Sequence, residues 1–189
     1  MNFTDYLQLF ENILQETNPK APYNNPDYLN YTKLNWSRQQ RWLKTGVINA
    51  AVTTAAKNIT VPQQWVIITE PWCGDAAHIV PFLSKIAAIN PLIQLDIQLR
   101  DAPPFLIEQY LTNGGKSIPK LIIRDNDGQD MAVWGPRPAG AQVLYDQLKA
   151  ENADFERVKI ELQQWYNQDK GQSLQAELLE VLTQVASIA

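Results

Sequence analysis

Residues 65–76 read Trp65-Val66-Ile67-Ile68-Thr69-Glu70-Pro71-Trp72-Cys73-Gly74-Asp75-Ala76. The first five are β-branched or aromatic with no polar alternation, the pattern of a strand buried on both faces. Pro71, Gly74 and Asp75 then mark a turn, and a helical pattern runs from about Asp75 to Ala88. A cysteine at such a junction meets unpaired backbone N–H groups and the positive end of the helix dipole. Both favour thiolate, the nucleophilic form. The competing reading is an inert cysteine buried in the core. The flanking turn residues point to the reactive thiol.

Downstream of this segment, Leu92 to Leu99 alternates as a second strand, and Asp101 with Pro103 and Pro104 is expected to open a helix through Phe105, Ile107, Tyr110 and Leu111. Asn113-Gly114-Gly115 ends it. Lys120 to Arg124 reads as a third strand, Asp125-Asn126-Asp127-Gly128 as a hairpin turn and Met131 to Trp134 as a fourth strand. Residues 138–168 are expected to be helical, and a last amphipathic helix after Gly171 places Leu174, Leu178, Leu182 and Val185 on one side. Upstream, residues 3–16 have helical spacing, residues 18–30 are rich in Pro and Asn and read as irregular, and Asn35 to Lys57 is helical with a break at Gly46. The order β-α-β-α-β-β-α over residues 64–150 gives an α/β fold, a small mixed sheet with helices on both faces. The chain divides into an N-terminal helical extension (1–60), a central α/β unit (61–150) and a C-terminal helical extension (151–189), expected to pack as one unit.

Composition narrows the chemistry. The 189 residues hold one Cys and one His, Cys73 and His78, so the chain has no intrachain disulfide, no two-cysteine redox couple and no multi-cysteine or three-histidine metal site. The formal charge of −4 argues against a nucleic-acid partner, which calls for a basic field. No run of 18 apolar residues and no signal-peptide pattern is seen, so no membrane partner is expected and the expected location is a reducing cytoplasm. The four N-x-[ST] matches, at Asn2, Asn30, Asn35 and Asn58, then carry no meaning.

Trp72-Cys73-Gly74-Asp75-Ala76, preceded by a buried strand and followed by Pro81 within the helix, resembles the active-site segment of the thioredoxin family. Ser117-Ile118-Pro119-Lys120-Leu121-Ile122-Ile123 resembles that family's cis-proline loop and the strand after it, and Gly128 and Gly135 fall where the family has its hairpin turn and following glycine. The resemblance spans roughly residues 60–150, and the run Tyr110–Pro119 is similar to a bacterial subfamily with an added N-terminal helical region. It implies a thioredoxin-like fold, a cis Ile118-Pro119 bond, and substrate binding at Gly74 beside the thiol and through backbone hydrogen bonds at Ile118. It also implies an apolar rim of Trp72 and Pro119 for a bound substrate.

The departures from that family are informative. Its second cysteine, three residues after the first, is here Ala76, and its buried strand acid, six residues before, is here Ile67. Residues i and i+3 share a helix face, so only a thiol at 76 could resolve an adduct on Cys73. Asp75 stands where the motif usually has proline. It suits the helix start, disfavours thiolate by its charge, and is a candidate acid/base or ligand anchor. His78 lies five positions on, about 140° around the helix, and is expected not to touch the thiol. Arg38, Arg41 and Lys44 form a basic helical face; folded over the Cys73 end it would hold thiolate or an anionic thiol such as glutathione. Of the Trp residues, Trp72 alone has a reason to be exposed. The leading expectation is monothiol exchange: Cys73 attacks a disulfide-containing or thiolated protein or small thiol adduct, and an external thiol, glutathione or another of low molecular weight, releases the product. It predicts a Cys73 pKa below the free-thiol value of about 8.5. No bound cofactor or metal is expected. The alternatives are a redox-silent module that holds a peptide or protein in the Trp72/Pro119 groove, and a peroxide sensor using sulfenic acid at Cys73.

Overall fold

The computed structural model describes residues 1–188. In chain order its elements are α1 (Phe3–Gln15), α2 (Pro26–Thr45), α3 (Ala50–Lys57), β1 (Gln63–Thr69), α4 (Gly74–Ala87), β2 (Ile93–Leu99), β3 (Lys120–Arg124), β4 (Asp130–Trp134), α5 (Ala139–Ala150), α6 (Phe155–Asp169) and α7 (Gln172–Ile188). The strand order is β2-β1-β3-β4. β1 runs parallel to β2, with Ile67 opposite Ile97, and antiparallel to β3, with Ile67 opposite Leu121. β4 completes an antiparallel hairpin with β3. With partners on both edges and packed faces, Val66, Ile67 and Ile68 are sealed from solvent, as their unbroken apolar run requires. α4 buries Ile79, Val80, Leu83 and Ile86 in the core, and its Phe82 packs on Trp42 of α2 (ring centroids 5.5 Å). The hairpin turns where expected: Gly128 has φ +80°, and the Asp125 carboxylate accepts from the backbone N–H groups of Asp127 and Gln129.

Three segments fold differently from the sequence expectation. α2 begins at Pro26, inside the stretch read as irregular, because Asn25 caps it through Asp27 N–H (2.8 Å) and Pro26 takes the first helical position. The helix expected from Asp101 is only one 3-10 turn, Leu106–Gln109. Asp101 is no cap: its carboxylate pairs with the Arg100 guanidinium (2.8 Å) and its N–H donates to Glu70 (2.9 Å). Phe105, with φ +55°, lies in the left-handed region, which stops an α-helix before it starts. The single helix expected over 138–168 is two, broken where Asn152 takes φ +54° and Asp154 caps α6 through Arg157 N–H (2.8 Å). The break expected at Gly46 is present.

Both extensions pack onto the central unit and onto each other. α1 and α2 contribute Tyr6, Phe10 and Trp42 to the core, and α7 contributes Leu174, Leu178, Leu182 and Val185. The buried Gln175 of α7 joins them: its Oε1 accepts from Asn49 N–H (2.7 Å) and its Nε2 donates to Val47 O (3.1 Å). Among the described residues no helix is long and apolar enough to cross a membrane.

Candidate functional site

Cys73 sits at the N-cap position of α4 in extended conformation and makes no side-chain cap bond. Its N–H closes the preceding turn on Glu70 O (3.0 Å), and its thiol donates to Ile118 O at 3.4 Å. The Ile118-Pro119 bond is cis, and this loop lies against the cysteine as the resemblance implied. The thiol state runs against what the exchange reading predicts. Cys73 is 7% exposed, and burial, reinforced by the Asp75 charge, pushes the thiol up to about 12. The N–H groups of Ala76 and Asp75 and the charge of Arg137 act the other way and lose. The residue is placed at the helix end as its neighbours indicate, but it is protonated there, not poised below about 8.5.

Asp75, in the first turn of α4, uses both carboxylate oxygens. Oδ2 accepts from Arg137 Nη2 (2.6 Å) and Nε (3.1 Å), and Oδ1 from the Tyr166 hydroxyl (2.7 Å). The Asp75 and Arg137 side chains are each only 11% exposed. Removing one partner would therefore strand a buried charge. Gly74 lies under the Tyr31 hydroxyl of α2, which a side chain at that position would overlap. Ala76 is buried, and Ile67 fills the position of the missing strand acid with no exposure at all. A different buried acid is present, Glu70, whose carboxyl burial pushes up to about 7 while the Asp101 N–H holds it down.

His78 makes no hydrogen bond to the thiol. Trp42 Nε1 donates to its Nδ1 (2.9 Å), and its Nε2 faces Gln163 Oε1 (3.2 Å). Indole N–H only donates, so Nδ1 must accept and the proton sits on Nε2. Burial and the charge of Arg38 push this imidazole down to about 3, so it is neutral, stacked on Tyr166 at 4.4 Å. The basic face of α2 splits. Arg38 lines the same cleft as Cys73, whereas Arg41 lies over Trp42 and bonds Asn167 (2.6 Å). Trp72 is half-buried, covered by the Arg100 guanidinium (4.5 Å) and the edge of Tyr28 (6.1 Å), a correction to its expected exposure.

These groups surround a cleft of about 780 Å³. Its floor is Trp72, Cys73, Gly74 and Asp75; α2 walls one side, α6 another, and Ser117 and Ile118 the third, while Pro119 is not among the lining residues. The sequence signals found the floor and the loop. They missed Arg137, Tyr166, Tyr31 and Asn35. Arg137 had one local sign, its place between Pro136 and Pro138 in a pinned turn; the others lie in helices with no mark of their own.

A family model described as thioredoxin matches residues 22–149, taking in α2 as well as the sheet. Among solved structures, a Pseudomonas aeruginosa protein of unknown function, PA1234, is 16% identical with a TM-score of 0.56, covering 100% of this chain and 99% of that one. An HIV epitope-scaffold is 14% identical with a TM-score of 0.56, covering 97% of this chain and 98% of that one. No curated protein matches the sequence. Both alignments run through the two extensions as well as the sheet. The sheet order, the placement of Cys73 and the cis-proline loop agree with the match over residues 22–149: the chain belongs to the thioredoxin family.

Proposed function

We propose that this protein carries out thiol–disulfide exchange with its single cysteine. The observation that supports it is the placement of Cys73 at the floor of a substrate-sized cleft, its thiol against Ile118 O of the cis-proline loop. Cys73 Sγ attacks one sulfur of a disulfide in the cleft. The substrate S–S bond breaks, a Cys73–substrate disulfide forms, and the departing sulfur takes up the proton that Cys73 gives to water. With Ala76 where a resolving thiol would be, the second step falls to an external thiol. That thiol attacks the substrate sulfur of the adduct and restores the Cys73 thiol. A thiol at about 12 is ionised in roughly one molecule in 10⁵ at pH 7, so the free protein is slow and the bound substrate must favour the charged form.

The same burial favours a second reading, a redox-silent cleft that holds its ligand without bonding to it. Intact-mass analysis separates the two. Wild-type protein incubated with a small mixed disulfide should gain one adduct, an added thiol should remove it with turnover, and Cys73→Ser should do neither. If no adduct forms between pH 7 and 9.5 while the ligand still binds, exchange is refuted and the silent cleft stands.

A further inference from the structure

Five cationic side chains line the Cys73 cleft: Arg38, Arg100, Lys116, Arg137 and Lys159. Four have their own counterion: Asp101 at 2.8 Å from Arg100, Glu108 at 2.9 Å from Lys116, Asp75 at 2.6 Å from Arg137 and Glu156 at 2.6 Å from Lys159. Among the described residues Arg38 alone of the five has no carboxylate at ion-pair distance. Its position is nevertheless fixed. Nη1 donates to Asn35 Oδ1 (2.8 Å), and the guanidinium lies over the Tyr31 ring (5.1 Å). Asn35 is fully buried and its amide donates to Pro71 O (3.1 Å), two residues before Cys73. A cation is thus anchored to the backbone that carries the thiol, with most of its five donors unspent. Its charged neighbour Arg41 repels it, and His78 beside it is neutral. The cleft's Asp27 stands eleven residues earlier on the same helix, about 16 Å along the axis, farther than the Debye length of about 8 Å.

We propose that Arg38 seats a carboxylate of the ligand, and that the ligand is a small anionic thiol or disulfide whose sulfur lies at Cys73. The sulfur half of this rests on the exchange reading; the anion seat does not. A half-buried guanidinium without a counterion in a chain of net charge −4 is a site that a ligand's charge completes. The volume of about 780 Å³ falls in the small-molecule range of about 300–1,000 Å³, and Tyr28, Tyr31, Trp72 and Phe155 offer aromatic wall to the ligand's body.

The probe is 5-(methylthio)-2-nitrobenzoate, an aromatic carboxylate whose sulfur cannot exchange, beside its neutral methyl ester. Titrated into the full chain and followed at the Trp72 indole N–H by NMR, the acid should bind wild type and Cys73→Ser alike. It should bind at least tenfold tighter than the ester and weaken as salt rises. Arg38→Gln should erase the acid's advantage and leave the ester's affinity unchanged, which also shows that the cleft is intact; Arg38→Lys should keep part of it. No binding of either probe, equal affinity for the two in wild type, or a preference for the acid that survives Arg38→Gln overturns the anion seat. Failure of exchange reads differently: the acid binds and no mixed disulfide ever forms.

Discussion

At Cys73 the end of a helix and the interior of a protein compete for one proton. A helix N-terminus contributes about 0.3–1 kcal/mol to an adjacent negative charge, about 2 at most. The rise of this thiol from an ordinary value near 9 to about 12 corresponds to on the order of 4 kcal/mol, so burial wins. Asp75 is the part of that rise a mutation can reach. Asp75→Asn removes the nearby negative charge and frees Arg137 to act on the sulfur. The thiol pKa should fall, and iodoacetamide alkylation at pH 9 should speed up by about tenfold while staying slower than a free cysteine; an unchanged or slower rate would show that the Asp75 charge does not govern this thiol. At this scale the sequence reads well wherever the motif is local. Cys73, Gly74, Asp75, Ile118 and Pro119 stand in two short runs whose turn chemistry is visible. Arg137 and Tyr166, 62 and 91 positions from Asp75, have no local signature that ties them to it.

The elements that make the site more than a motif are α2 and α6, one from each extension. α6 is laid on α4 by polar contacts: Tyr166 to Asp75, Tyr166 stacked on His78, and Gln163 at His78 Nε2. Tyr166→Phe keeps the stack and deletes the hydroxyl that satisfies a buried carboxylate. Urea unfolding should show a loss of about 1–3 kcal/mol, the usual cost of a buried charged group left short of a partner; a loss under 0.5 kcal/mol would mean that Arg137 alone suffices. The later half of α2 and the helical character of α6 were legible, the start of α2 at Pro26 was not, and the split at Asn152–Asp154 has cap residues that mark it in retrospect. Which face of α6 meets α4 was not, because its contact residues are polar and hydrophobic spacing does not register them.

Across the whole molecule two buried titratable groups set opposed dependences on pH. Glu70 is raised from 4.5 to about 7, so the native state holds one more proton than the unfolded chain between those values. Its contribution is fully present below pH 4.5 and lost as pH rises through 7. His78 is lowered from 6.5 to about 3, so the unfolded chain holds one more proton there. Its contribution is present above pH 6.5 and lost as pH falls through 3. From pH 4.5 to 6.5 the two cancel. Glu70→Gln, which keeps an acceptor for Asp101 N–H, should uncover the His78 dependence, with stability climbing by about 1.4 kcal/mol per pH unit over that window. His78→Gln should uncover the reverse slope. Unfolding free energies measured from pH 4 to 7.5 test this, and parallel profiles for the two variants would refute it. Neither group was legible from sequence as titrating abnormally, since both shifts come from packing by distant elements.

The cleft's two helical walls have a further consequence, one of reach. A sulfur at the bottom of a recess meets what can enter the recess. The flat surface of a folded protein keeps its disulfides outside, and a second copy of this chain carries its own sulfur just as deep. On the exchange proposal these walls set a size limit on the substrate, and the same geometry hinders a disulfide between two copies.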